Sequence, residues 1–290
     1  MVAAVIVGGV TWFVRSRSIV REDSPAWAPS GRRLAFASVR NGARDLIEVS
    51  VDGRDRRDLT TTAADEKDPA YSPDGSELAF VTNRDGNDEI YVMTLPDGSP
   101  AGAAAPRRLT NHAARDLAPA WSPDRSQILF LSDRDAEGQF DVYLMRADGT
   151  DVERLTTTGA NACPRFAPDG RRIALQAGDA VHLFDLKTRT LLPLTRESTT
   201  GSQPTWSPDG TRLAFMSARS GRSQIFTMNA DGTDTKLLVT MARGGAVDPR
   251  WSPDGLRVAF VHVPDEAAAG GPRTIYVAEI ATGKLTRISR

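Results

Sequence analysis

Six acidic residues stand at recurrent positions in the chain, just ahead of short segments that contain proline. They are Glu22, Asp23, Glu66, Asp68, Asp116 and Asp248. Asp68 and Asp248 hold the same place, directly before a proline, and therefore form the leading pair. Carboxylates gathered around one opening create a negative field, which would bind a cation or a basic segment of a partner. The alternative interpretation is that each carboxylate caps an ordinary loop.

Other patterns that carry chemistry are missing from the sequence. It contains no Gly-x-Ser-x-Gly elbow, no His-Glu-x-x-His pair, no phosphate-binding glycine loop and no Cys-x-x-Cys. The histidines at positions 112, 182 and 262 occupy non-equivalent places, so we do not expect a shared metal site. Cys163 is the only cysteine and is interpreted as an inert, partly buried side chain rather than a reactive thiol. We predict no catalytic residue, no metal and no cofactor, and hence no enzyme.

Charged loops offer two further interpretations. Residues 85–89 and 133–138 are rich in Asp and resemble the start of a calcium loop, but both lack the distal Glu, which favours solvated loops. An arginine also recurs at one loop position, where we predict a structural bond to a neighbouring carbonyl or acid. A ligand-binding arginine ring is the alternative. These arginines are Arg40, Arg84, Arg134 and Arg219.

A five-residue phrase, aromatic-Ser/Ala-Pro-Asp-Gly, positions all of these residues by recurring six times at intervals of 40 to 50 residues. A fixed period of this size indicates a repeat architecture. Ser-Pro-Asp-Gly is typical of a type I turn, although Arg125 replaces the glycine in the third copy. The aromatic residues are predicted to pack between repeats rather than to bind a ligand. They are Trp27, Tyr71, Trp121, Phe166, Trp206 and Trp251.

Each repeat also contains four short segments rich in β-forming residues. In the second repeat these segments lie near 68–71, 78–81, 90–93 and 108–110. Four antiparallel strands in about 45 residues make one propeller blade. The sequence therefore predicts an all-β, six-bladed β-propeller over residues 22–290, with the first strand of each blade lining a central channel.

The succession Trp-Ser-Pro-Asp-Gly, Leu-Ala-Phe, Ser-x-Arg-x-Gly, Ile-Tyr-x-Met, Asp-Gly and Arg-Leu-Thr resembles the TolB-type, WD-like propeller repeat. The resemblance covers roughly residues 22–290. It implies a non-catalytic ring in the bacterial cell envelope that binds a protein or peptide partner, such as an envelope lipoprotein. Similar repeats occur beside peptidase and kinase domains, so a sensor or substrate-gating propeller is one alternative. A carbohydrate-active enzyme working in the channel is another.

The N-terminal segment, residues 1–21, is a separate unit in this interpretation. Residues 1–14 carry no charge and are followed by Arg15, Arg17 and Arg21. A helix of this length spans about 21 Å, less than the ~30 Å hydrocarbon core of a bilayer. We interpret the segment as a truncated membrane anchor; a signal remnant, or a strand at residues 11–14, are the alternatives. The arginines favour a cytoplasmic propeller for a lone anchor, whereas the resemblance implies a periplasmic one.

Charge and length restrict the remaining classes of function. The chain has 290 residues and a formal net charge of −1, from 36 basic and 37 acidic residues. A dedicated nucleic-acid-binding domain would normally be basic, so no nucleic-acid partner is expected. Because the repeat runs without interruption, we predict one ring-shaped domain that is a monomer.

Overall fold

The computed structural model describes residues 3–7, 10–14, 21–40, 42–96, 105–196, 200–265 and 271–289. Six four-stranded antiparallel sheets form the blades of a ring, so the predicted six-bladed β-propeller is confirmed. In every blade the strands follow one another in chain order from the centre of the ring to its rim. Each blade is thus built from one continuous segment of the chain.

Two strands precede the ring, β1 (Ala3–Val7) and β2 (Val10–Val14). Blade one comprises β3 (Glu22–Trp27), β4 (Arg33–Arg40), β5 (Ala43–Ser50) and β6 (Arg56–Asp58). Blade two comprises β7 (Glu66–Tyr71), β8 (Glu77–Thr82), β9 (Glu89–Thr94) and β10 (Arg107–Arg108). Blade three comprises β11 (Asp116–Trp121), β12 (Gln127–Ser132), β13 (Asp141–Arg146) and β14 (Glu153–Arg154).

The second half of the ring repeats this order. Blade four comprises β15 (Asn161–Phe166), β16 (Arg172–Ala177), β17 (Ala180–Asp185) and β18 (Thr190–Pro193). Blade five comprises β19 (Ser202–Trp206), β20 (Arg212–Ser217), β21 (Gln224–Asn229) and β22 (Lys236–Val239). Blade six comprises β23 (Gly245–Trp251), β24 (Arg257–Val263), β25 (Thr274–Glu279) and β26 (Leu285–Arg287).

The Ser-Pro-Asp-Gly phrase forms the turn between the first and second strands. In blade two, Ser72 Oγ donates a 2.7 Å hydrogen bond to Asp74 Oδ1 and accepts one of 3.0 Å from Glu77 N. Gly75 takes the left-handed conformation at φ +74°. The hydroxyl of Ser72 stabilises the charged carboxylate, which lowers the pKa of Asp74 to about 2. The phrase recurs because each of its residues satisfies one requirement of this turn.

Arg125 occupies the glycine position of this turn in blade three. Its backbone keeps the left-handed conformation at φ +64°, so the turn geometry is retained at the expense of strain. The guanidinium reaches back to blade two, where it pairs with Asp74 and, at 3.2 Å, with Glu77. Arg125 therefore strains the backbone of its own turn, while its side chain links blades two and three by ion pairs.

The apolar cores of the ring lie between neighbouring blades rather than within them. Trp121 of blade three packs with Val81 and Ile90 of blade two, and its indole Nε1 donates a 3.1 Å hydrogen bond to Ala70 O. One fully buried phenylalanine recurs at the third position of the Leu-Ala-Phe segments. These residues are Phe36, Phe80, Phe130, Phe215 and Phe260. Since a single sheet cannot bury both of its faces, each blade depends on its neighbours.

Ring closure uses the same interaction. Trp27 of blade one packs with Val261 of blade six and donates from Nε1 to Arg250 O at 3.0 Å. The guanidinium of Arg257 stacks over the Trp27 ring at 5.0 Å and donates to Gly31 O at 2.9 Å. Because blade six supplies its own fourth strand, packing and these bonds close the ring, without a strand shared between the two ends.

The strands β1 and β2 pair with each other in a sheet separate from the blades. Residues 11–14 are therefore in a strand, which was one of the alternatives to the membrane anchor. That strand pairs with β1 and not with a strand of blade one. Arg15 and Arg17 lie outside the described residues. Within the described part of the chain, no helix is long and apolar enough to cross a membrane. The membrane anchor stays a prediction.

The tryptophan hydrogen bonds give the first testable prediction. Trp251 Nε1 is buried but has no hydrogen-bond partner among the described residues, unlike the matched Nε1 of Trp121. We expect Trp251→Phe to lower the free energy of unfolding less than Trp121→Phe does, by about 1 kcal/mol or more, because only the second loses a hydrogen bond. Urea unfolding of both variants checks this, and equal losses would contradict it.

Candidate functional site

The first strands of the six blades surround a central channel, and each has a β-bulge at the residue before a proline. These six residues all adopt left-handed backbone conformations, with φ between +50° and +55°. Such conformations are unfavourable for residues other than glycine and cost on the order of 1–3 kcal/mol each. A bulge re-aims its side chain, here towards the channel. The bulge residues are Ser24, Asp68, Ala118, Cys163, Gln203 and Asp248.

The bulge residues enclose a cavity of about 250 Å³, which we name the constriction. Asp68 accepts hydrogen bonds from Ser24 Oγ at 2.8 Å and from Ala118 N at 3.3 Å, which joins blades one, two and three. Asp248 N donates to Gln203 Oε1 at 2.8 Å, which joins blades five and six. The constriction is thus lined by polar groups that are hydrogen-bonded from blade to blade.

Two arginines complete the constriction. Arg250 pairs with Asp248 at 2.6 Å, whereas the one partner of Arg165 among the described residues is a backbone oxygen, Pro164 O, at 2.7 Å. Burial raises the pKa of the Cys163 thiol, which therefore stays protonated at neutral pH. Burial and the nearby charge of Arg250 lower the pKa of Arg165 to about 10, so its guanidinium stays charged.

Three of the acids singled out from the sequence lie inside the blades. Glu22, Glu66 and Asp116 begin the first strands of blades one to three, and at most 1 % of each residue is exposed. Each pairs with an arginine of its own blade. The pairs are Glu22–Arg56 at 3.7 Å, Glu66–Arg84 at 3.2 Å and Asp116–Arg134 at 3.0 Å. The structure brings Asp68 and Asp248 to the channel but keeps these three away from solvent.

Two of the recurrent loop arginines, Arg84 and Arg134, bond to an acid as predicted, whereas Arg219 donates to the Ser217 hydroxyl at 3.0 Å. Besides its carboxylate, Arg134 stacks over the Tyr143 ring at 4.7 Å, and Arg84 stacks over Tyr91 at 4.9 Å. Arg219 stacks over Phe226 at 4.6 Å. The side chain of Arg40 lies outside the described residues. These contacts indicate that the described loop arginines stabilise the blades.

The Asp-rich loops are likewise occupied by protein donors. Asp133 is buried and accepts hydrogen bonds from Arg115 at 2.8 Å and from Gly138 N at 3.0 Å. The Tyr91 hydroxyl donates to Asp85 in the corresponding loop of blade two. In the described ranges, no group of three or more His, Cys, Asp or Glu side chains is arranged to hold a metal ion.

On the face where the first strands begin, the channel opens into a cavity of about 230 Å³, which we name the mouth. Asp23 lies here and pairs with Arg273, and Lys67 pairs with Asp88 at 2.9 Å. Arg44 adds a further positive charge to the lining. The sequence predicted an acidic mouth, but the folded chain adds basic side chains from other strands and loops, so the mouth carries both signs.

On the opposite face the channel widens into a cavity of about 390 Å³, which we name the funnel. Its wall contains the six motif aromatics together with prolines that flank them. Arg165 and Arg250 lie at its base, since they also line the constriction. Sequence reasoning missed both arginines. The available signal was their place directly before the motif aromatic, where the other blades have Ala26, Ala70, Ala120 and Thr205.

The fold and the channel define a six-bladed propeller with an asymmetric channel lining. The chain matches the model of the TolB beta propeller domain over residues 24–178 and 156–266, and it belongs to that family. A solved structure, described as putative TolB from Agrobacterium tumefaciens, superposes with a TM-score of 0.72 at 22% identity, covering 83% of this chain and 86% of that one. This likeness shows the fold.

Propellers from enzymes are also similar. An oligogalacturonate lyase in complex with manganese superposes with a TM-score of 0.64 at 15% identity, covering 93% of this chain and 78% of that one. The uncharacterized peptidase YuxL of Bacillus subtilis is 33% identical over 92 residues, which are 28% of this chain and 14% of the peptidase. The matched region is thus a small part of that curated relative. Fold and family by themselves are compatible with binding and with catalytic roles.

The buried acids give a prediction about stability. Asp116→Ala leaves the guanidinium of Arg134, whose side chain is 18% exposed, without its carboxylate. We expect a loss of about 3 kcal/mol in the free energy of unfolding, the usual effect of breaking a buried ion pair. Asp23→Ala is the control: this half-buried acid at the mouth should cost less than about 1 kcal/mol. Similar losses in denaturant titrations of both variants would contradict the assignment.

The strained bulges give a third prediction. Ala118 has φ +52°, which glycine adopts without strain, whereas Ala162 of another first strand has no positive φ. We expect Ala118→Gly to be neutral or to stabilise the ring by up to about 1 kcal/mol. Ala162→Gly should destabilise it by about 0.5–1 kcal/mol. Thermal unfolding tests the pair, and a lower melting temperature for Ala118→Gly than for Ala162→Gly would refute the strain.

Proposed function

We propose that this chain is a non-catalytic, protein-binding propeller that holds a partner protein at the mouth of its channel. One observation carries the proposal. The mouth continues on the same face into a groove of about 540 Å³ between blades five and six, and the two cavities share Gln203, Val247 and Arg273. A continuous depression of this kind offers a partner loop or chain end a place to insert.

The chemistry of this surface suits a protein partner. Met216, Val247 and Val263 supply apolar area in the groove, and Arg222 and Asp265 supply charges of opposite sign. Apolar area surrounded by polar and charged groups is typical of specific protein interfaces. Because the lining carries both signs of charge, the proposed partner has a mixed surface rather than the purely basic segment that an acidic mouth would select.

Asp68 and Asp248 are the proposed inner contacts, since they line both the mouth and the constriction. Asp23 is a proposed contact at the rim, where its partner is Arg273. Glu22, Glu66 and Asp116 would affect binding only through the blades, because they are buried. This arrangement supports a deep contact at the axis surrounded by weaker, solvent-exposed ones.

The side chains of the constriction support a role without catalysis. Each of its two carboxylates is already engaged by protein donors, and the Cys163 thiol is protonated at neutral pH. A nucleophile needs an adjacent base or a lowered pKa, and neither is found here among the described residues. The family resemblance supports a place in the bacterial cell envelope, on its periplasmic side or anchored to a membrane.

A second candidate function is a sensor or a gate for a catalytic domain. The similarity to part of a peptidase favours it. In that case the funnel, constriction and mouth would form a path whose width selects substrates. The two candidates differ in what the purified chain retains: a protein-binding ring recovers its partner by itself, whereas a gate affects the rate of an enzyme to which it is attached.

The test is affinity recovery of partners with matched variants. The tagged chain is expressed in a bacterial host, crosslinked and isolated from membrane and soluble fractions. We expect Arg222→Glu with Arg273→Glu to reduce recovery of a specific envelope protein about tenfold or more, because both side chains line the proposed surface. Lys236→Glu, on the exposed fourth strand of blade five, is the control and should leave recovery unchanged.

Two outcomes would contradict the proposal. One is equal recovery from the double variant, the control and the unaltered chain, which would place the contact elsewhere. The other is turnover of an oligogalacturonate or a peptide by the purified chain, which would make it an enzyme. The variants Asp68→Asn and Asp248→Asn test the inner contacts separately from the rim, by the same recovery of the partner. Asparagine is suitable because it tolerates the left-handed backbone of both positions.

A further inference from the structure

The funnel contains a guanidinium that forms no ion pair among the described residues, although Asp68 and Asp248 line the adjoining constriction. Arg165 stands at its base, and no carboxylate of the described residues lies within ion-pair distance of it. Arg250, at the same position two blades later, pairs with Asp248 at 2.6 Å. Arg165 is partly buried, and a charge that has lost part of its hydration is normally compensated by a partner charge. The exception at Arg165 points to an anion that comes from outside the chain.

The donors of Arg165 are available to such an anion. Nη1 is bonded to Pro164 O at 2.7 Å, and no nitrogen of this side chain is a buried donor without a partner. The remaining N–H groups therefore reach the cavity. A guanidinium presents its donors in a planar fork that matches the two oxygens of a carboxylate. Arg250 lines the same cavity, but its charge is already paired with Asp248.

The wall of the funnel indicates which groups the ligand has besides its anion, and how large it is. Among the described residues no acid lines this cavity, and Asp68 and Asp248 lie deeper, in the constriction. Trp27, Trp121, Trp206 and Trp251 line it together with Pro69, Pro119 and other prolines, and these surfaces are rigid and largely apolar. A volume of about 390 Å³ is enough for a short extended segment but not for a folded domain.

We propose that the funnel binds a peptide carboxylate, with Arg165 holding the anion and the aromatic and proline wall packing against a neighbouring apolar side chain. The carboxylate belongs either to a C-terminus or to an acidic side chain, which share the same chemistry. The site lies on the face opposite to the mouth, so this proposal goes beyond the proposed function, and either of the two can fail alone.

The experiment uses three acetylated peptides. They are Ala-Pro-Leu with a free carboxylate, the same peptide as its C-terminal amide, and Ala-Pro-Asp as its C-terminal amide. Four tryptophans line the funnel, so their fluorescence reports binding directly. We expect at least one carboxylate-bearing peptide to bind about tenfold or more tightly than the Leu amide, with an affinity that falls as salt is added. The better of the two identifies the source of the carboxylate.

Variants of the chain test the role of Arg165. Arg165→Met keeps the length of the side chain without its charge, and we expect it to lose at least about tenfold in affinity for the carboxylate peptide. In the absence of peptide the same variant should melt at a higher temperature than the unaltered chain, because it removes a partly buried charge that has no ion-pair partner. Arg171→Ala, on the exposed surface of the same blade, is the control and should bind normally.

Three results would overturn the proposal. The first is equal affinity for the two carboxylate-bearing peptides and for the Leu amide, which would mean that the funnel recognises only apolar groups. The second is full affinity in Arg165→Met. The third is no change in fluorescence and no rise in melting temperature with any of the peptides. Since the thermal stability of Arg165→Met is measured without peptide, a folding defect is distinguished from a loss of binding.

Discussion

The structure depends on one interaction, the packing of each first-strand aromatic against the preceding blade. A four-stranded sheet leaves apolar area on both faces, and in the ring the neighbouring blade covers it. An aromatic side chain that buries 150–250 Å² contributes about 4–6 kcal/mol of gross transfer free energy. Trp27 makes this contact between blades one and six, so the same interaction both assembles the ring and closes it.

This packing also makes the channel possible. Six first strands held at fixed positions around one axis bring their bulges into contact, and the surrounding sheets maintain backbone conformations that isolated strands would not adopt. Hydrogen bonds such as Ser24 to Asp68 then connect blades at the axis as the aromatics connect them further out. The strain is concentrated at the residues that face the channel, where side chains are available for binding.

The ring is symmetric in its backbone and asymmetric in its charges. Carboxylates at the start of first strands are buried against arginines in blades one to three, as Asp116 is against Arg134, and they do not contribute to the mouth. Arginine replaces a small residue at the base of the funnel in only two blades. A frame that repeats six times thus carries different chemistry at its two openings, which is how one propeller family accommodates many ligands.

The sequence by itself determined the number of blades, the four strands of each, the turns and the identity of the packing aromatics. These features follow from local periodicity and turn chemistry, and the same pattern is present in each repeat. It also placed Asp68 and Asp248 at equivalent positions, directly before a proline and near the strands that line the channel. Only the tertiary structure decided which charges meet: that Glu66 is paired inside its blade, that Arg273 reaches Asp23 from the far end of the chain, and that Arg165 has no ion-pair partner within the described part of the chain. Pairing depends on distances between side chains of different blades, and a one-dimensional repeat does not contain them.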